Sequence, residues 1–138
     1  MIKDIRPALR AWLLADPDIR ALVGAKRIFP SVLPQGNGTR TALVYQSASE
    51  LGDFTMQGPS GLTAMRLQID AYALDVDEVT ELANLVKERI DGFRGTWPAA
   101  VPIKIRGVFF DGVVPTNWDD EIKMHRDGRL YMIHFLER

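Results

Sequence analysis

The chain has 138 residues, 46% of them hydrophobic and 25% charged, which suits one globular domain, residues 1–138, built around one core. Its 17 basic and 18 acidic residues leave a net charge of −1, so no global field draws it onto nucleic acid or an anionic membrane. The absence of cysteine excludes disulfides, thiolate metal sites and cysteine nucleophiles, and accommodates folding in a reducing compartment.

The first residues, Met1-Ile2-Lys3-Asp4-Ile5-Arg6-Pro7, are charged where a signal peptide needs an apolar run, and no apolar stretch is long enough to span a bilayer. Ile5, Leu9, Trp12 and Leu13 recur at helical spacing, which predicts an amphipathic helix over about residues 2–15. Asp16 followed by Pro17 reads as an N-cap and first helical position, opening a short second helix with Ile19, Leu22 and Val23 that stops at Gly24. Residues 26–40 carry Pro30, Pro34 and the Gly36-Asn37-Gly38 turn, so they read as a connector or an edge strand.

Thr41 to Ala48 is β-rich, and Leu62 to Leu74 alternates with Met65, Leu67, Ile69 and Ala71 on one face and Arg66, Gln68, Asp70 and Tyr72 on a wet one. Between them, residues 49–61 are too rich in glycine for a helix and too long for a tight turn, which predicts a projecting loop or a long hairpin tip. Asp75 and Glu78 form a candidate capping box before the stripe Val79, Leu82, Ala83, Val86 and Ile90, a helix that ends at Asp91-Gly92. A turn region with Gly95 and Pro98 follows. Then come a strand over 103–110, a turn at Asp111-Gly112, a loop over 115–120, and a last strand over 129–136 after a turn at Asp127-Gly128. This order predicts an α+β fold: an antiparallel β-sheet with two main helices packed on one face and a long projecting hairpin or loop.

No pattern carries catalysis or a cofactor. His125 and His134 fit no metal spacing, and Asp119-Asp120-Glu121 lacks the interleaving and glycine of a calcium loop. His125-Arg126-Asp127 opens like a kinase catalytic loop, but Met132 stands where that motif needs Asn. Ser47, Ser49 and Ser60 lack a nucleophile elbow, and Asn37-Gly38-Thr39 reads as a chance sequon. The aromatic residues are not interleaved with a basic stripe, which leaves no nucleic-acid-binding motif.

What remains is the 49–61 arm, which sets Leu51, Phe54 and Met56 among glycines. Ordering it costs roughly 1–2 kcal/mol of backbone entropy per residue, so a neighbouring surface must take up those side chains, or the tip must fold back on its own sheet. Leu51, Asp53, Phe54, Met56 and Gln57 are therefore the candidate interface residues.

The chain also resembles, almost end to end, the tail-completion or tail-terminator proteins of long-tailed bacteriophages and related prophage-derived particles. The resemblance rests on Leu14-Ala15-Asp16-Pro17, Ala21-Leu22-Val23-Gly24, Arg27-Ile28-Phe29-Pro30, Leu33-Pro34-Gln35-Gly36 and Leu43-Val44-Tyr45-Gln46. It continues through Gly58-Pro59-Ser60-Gly61, the strand Arg66 to Tyr72, and Gly92-Phe93-Arg94-Gly95, in that order and spacing. It implies a structural virion protein, not an enzyme: a homohexameric ring that caps the tail tube and offers the head a joining surface. The implied partners are further copies of the chain, the tail tube protein and a head–tail connector or stopper protein, with no cofactor and no membrane. The implied location is the head-proximal end of the tail, reached from the host cytoplasm. Whether subunits are monomeric before assembly stays open. The alternatives are a head-side neck connector or stopper, or a small cytoplasmic enzyme or ligand-binding domain with a polar cluster around His134, Asp70 and Tyr72.

Overall fold

The computed structural model describes residues 5–55, 58–99, 102–120 and 122–136, with side chains described outside 48–62 and 115–117. The first helix, α1 (Arg6–Leu14), takes Pro7 in its first turn, where the missing N–H would have had no helical partner. It turns Ala8, Leu9 and Leu13 inward and is shorter than the periodicity suggested. The next helix, α2 (Pro17–Val23), begins as its residues dictate: the Asp16 carboxylate accepts from Asp18 N at 2.9 Å and Ile19 N at 3.5 Å. It closes at Gly24, whose φ of 68° a side chain would strain.

The remaining elements are β1 (Ile28–Pro30), a 3₁₀ turn over Gln35–Asn37, β2 (Ala42–Thr55), β3 (Gly58–Ala73), α3 (Val76–Ile90), β4 (Gly95–Trp97), β5 (Ile103–Asp119) and β6 (Met124–Leu136). The sheet runs in the order β1-β2-β3-β6-β5-β4. Neighbours are antiparallel except β1, which pairs parallel to β2 with Ile28 opposite Leu43. The expected α+β class, with helices on one face and a long hairpin, is the one observed. The single parallel edge strand is the addition.

The helices share one core with the inward positions of the sheet. Val79, Leu82, Ala83, Val86 and Ile90 of α3 join Leu43, Met65, Leu67, Ile69, Tyr131, Ile133 and Phe135. Each large aliphatic side chain so buried contributes about 1.5–3 kcal/mol relative to exposure. Asp75 does cap α3, accepting from Asp77 N at 3.1 Å. The reciprocal arm of the capping box is replaced, because Glu78 accepts instead from the Thr41 hydroxyl at 2.6 Å.

Three turn expectations are corrected. Asp111-Gly112 is a bulge inside β5, with Gly112 at φ 148° and Asp111 paired with Arg66 at 2.9 Å. Asp127-Gly128 lies within β6, where Asp127 is buried against Arg129. The 115–120 stretch expected as a loop is mostly the end of β5, and the turn region after α3 contains β4. Helix-facing and outward-facing positions alternate along β3 as expected, but only half of its second face is wet. Arg66 is exposed and Gln68 half-buried, whereas Asp70 and Tyr72 are buried. The reason is a second small core of Val44, Tyr72 and Met124, covered by Phe29, Leu33 and Ile122.

Candidate functional site

The 49–61 arm is not a loop. β2 and β3 remain paired through it, with Leu51 opposite Ala64, Gly52 opposite Thr63, Phe54 opposite Pro59 and Thr55 opposite Gly58. Asp53 falls in the register shift between Gly52 and Phe54. The backbone thus gathers Leu51, Asp53 and Phe54 on one ribbon, while their side chains, together with Met56 and Gln57 entirely, lie outside the described residues. β6 pairs with β3 as far as Leu62 opposite Leu136, so β2 from Asp53 to Thr55 and β3 from Gly58 to Gly61 continue past the described end of β6 as two strands. On its other side β2 meets β1 only from Leu43 to Tyr45. β5 likewise meets β4 only from Ile103 to Ile105.

Away from the ribbon, the chemistry-bearing side chains are dispersed. Among the described residues no three His, Asp or Glu side chains gather to hold a metal. His125 makes an edge contact with Trp118 at 5.0 Å and His134 with Phe109 at 5.6 Å. His134 stands opposite Ala64 and Asp70 opposite Gly128, so six residues of β3, roughly 20 Å, separate the two and the supposed polar cluster does not form. Asp70 is held by Gln68 Nε2 at 2.9 Å, and burial pushes its pKa above the ordinary carboxylate value despite Gln68 and nearby Arg126. Burial also raises Tyr72, helped by the Asp70 charge and opposed by its hydrogen bond to Arg126. Tyr131, buried in the main core, is raised for the same first reason. Asn37 is 3% exposed, and its Nδ2 is committed to Arg40 O at 2.8 Å, which removes it as a glycosylation acceptor.

Two charged surfaces escaped the sequence reading because neither is contiguous in both sequence and space. On α3, Asp77, Glu81, Asn84 and Glu88 follow i, i+4, i+7, i+11 spacing, form one exposed line and border a shallow groove with Thr80 and Leu85. At the β1 edge, Lys26, Arg27 and Arg40 surround an open cleft of about 450 Å³ with Phe29, Gly36 and Asn37. The helical period of the first was legible in the sequence. The second needs the 3₁₀ turn to bring Arg40 back beside Lys26.

The fold is a mixed sheet with one helical layer and two charged outer surfaces. A family model described as tail completion protein gp17 matches residues 7–119, and the chain belongs to that family of phage tail structural proteins. A chain in the solved virion of the native gene transfer agent (GTA) particle has the same fold, with a TM-score of 0.63 over 93% of this chain and 91% of that one. The two are 18% identical. No curated protein matches the chain by sequence. The family places the protein in a virion, among other phage proteins.

Proposed function

We propose that residues 1–138 act as one unit that joins five further copies in a closed ring on the head-proximal end of the tail tube, where the ring offers the head connector a docking surface. The unit acts by stoichiometric binding, without catalysis or cofactor. The observation that carries this reading is the β2–β3 ribbon, which continues past the described end of β6. A two-stranded ribbon is marginally stable in water, so it is suited to gaining its missing contacts from a neighbour. Leu51, Asp53, Phe54, Met56 and Gln57 are the residues this reading assigns to the adjacent subunit or the tube. Ring closure needs two different complementary surfaces on each subunit. Electron microscopy of particles made without the protein tests the role: tails should be of abnormal length or fail to join heads, and normal infectious particles would overturn it. Crosslinking should capture the tube protein; capture of the portal-side ring alone would move the protein to the head side of the neck.

A further inference from the structure

The line of carboxylates on α3 is poorly arranged for an isolated helix. Asp77 and Glu81 are like charges at i, i+4, an arrangement that costs a few tenths of a kcal/mol. Glu88 lies toward the C-terminus, where the helix dipole disfavours an anion. The two cations beside it face elsewhere: Lys87 Nζ sits 4.3 Å from the Phe110 ring centre, and Arg89 stacks 3.7 Å over Trp12. Among the described residues Asp77, Glu81 and Glu88 have no cationic partner.

The cleft at the β1 edge is the opposite case. Arg27 gives Nε to Thr41 O at 2.8 Å and Nη2 to Leu22 O at 3.1 Å, and packs against the bare Cα of Gly24. Arg40 gives Nε to Asn37 O at 3.1 Å and Nη2 to Gly36 O at 3.3 Å. Both guanidinium groups are thus fixed by neutral carbonyls while keeping further N–H donors, and Lys26 is exposed beside them. No carboxylate among the described residues pairs with any of the three.

We propose that these two faces are complementary halves of one contact between copies: the Asp77–Glu81–Glu88 line of one subunit seats on the Lys26–Arg27–Arg40 cleft of the next. The occupant is a second copy because one chain carries both an unneutralised acidic line and an unneutralised basic cleft, on different elements, within a net charge of −1. Two different faces meeting head to tail generate a ring when the rotation closes. The inference rests on the ring reading above and adds the surfaces that set its register.

The test uses charge reversal of exposed residues on the full chain. Lys26→Glu with Arg40→Glu reverses the cleft, and Glu81→Lys with Glu88→Lys reverses the line; Lys26→Glu alone serves if the Arg40 turn is disturbed. Self-association, alone and on tails, is measured by mass photometry and sedimentation. Each reversed protein should associate at least about 100-fold more weakly than the unmodified chain. An equimolar mixture of the two should recover assembly, because alternating copies restore opposite charges at every contact of an even-membered ring. Carbodiimide coupling of the unmodified protein should join Lys26 of one copy to Glu81 or Glu88 of another. If the unmodified chain assembles and the reversed chains assemble equally well, or the folded pair fails to complement, the assigned faces are wrong and the ring stands. If the unmodified chain never assembles, even on tails, the ring reading falls and this contact falls with it.

Discussion

Gly128 lies opposite Asp70 across the β3–β6 pairing, and a Cβ there would collide with Asp70 Oδ1 and stand 3.0 Å from Val114 Cβ. Asp70 cannot swing away freely, since it is buried and held by Gln68. Gly128→Ala should therefore cost about 1–3 kcal/mol in urea unfolding, whereas Gly36→Ala, where nothing lies within 4 Å, should stay within about 0.5 kcal/mol. Beside an aspartate, this glycine imitates a turn in the sequence; its cause is a close approach from another strand, which one-dimensional spacing does not reveal. Asp70 itself adds a pH dependence. Its folded pKa lies above the usual 3.8, so between those two values the native state keeps a proton that the unfolded chain has lost. Stability contributed by this group is thus highest below about pH 3.8 and falls as pH rises through the folded pKa. Asp70→Asn should flatten that decline in unfolding curves collected from pH 3 to 7; an unchanged slope relative to the parent would assign it to other groups.

At the scale of elements, α1 is fastened to the end of α3 by a reciprocal clamp. Arg89 Nε donates to Trp12 O at 3.1 Å, Trp12 Nε1 donates to Arg89 O at 3.3 Å, and the guanidinium lies over the indole. Phe93 extends the contact at 4.8 Å from Trp12 and 6.0 Å from Trp97, whose side chain is fully buried. Arg89→Ala removes a cation–π contact and the side-chain donor to Trp12 O, while the Trp12 Nε1 bond to the backbone oxygen remains, so it should cost about 1–3 kcal/mol in urea unfolding. Arg89→Lys should recover less than half of that, because an ammonium lacks the planar fork; a loss no larger than that of Glu88→Ala would show that the clamp is incidental. The helices were legible from Asp16, Pro17, Asp75 and the apolar stripe of α3 because their signals are local. The long strands were not. Gly52, Asp111-Gly112 and Asp127-Gly128 look like stops, yet pairing partners on other strands carry β2, β5 and β6 straight through them. Strand length is a property of the neighbour as much as of the segment.

For the whole molecule, the decisive question is whether the β2–β3 ribbon belongs to the fold of one subunit or to the assembly. Among the described residues the core draws on Leu43, Val44 and Tyr45 from β2 and on Met65 onward from β3, all on the body side of the ribbon. Beyond Leu62 the described pairing of β3 is to β2 alone, and a two-stranded ribbon adds little stability by itself. Removing Gly52–Pro59 should accordingly leave the melting temperature of the isolated chain within a few degrees of its parent, since about 1 kcal/mol shifts a domain of this size by roughly 2–8 °C. The same deletion should abolish association with further copies or with tail tubes in co-sedimentation. The deleted chain must be compared with the charge-reversed pair, because the two losses differ in kind: reversal should be rescued by its complement, and deletion should not. A large fall in melting temperature on deletion, or undiminished binding to tubes and further copies, would instead make the ribbon part of the subunit's own body and leave the charged faces to hold the ring.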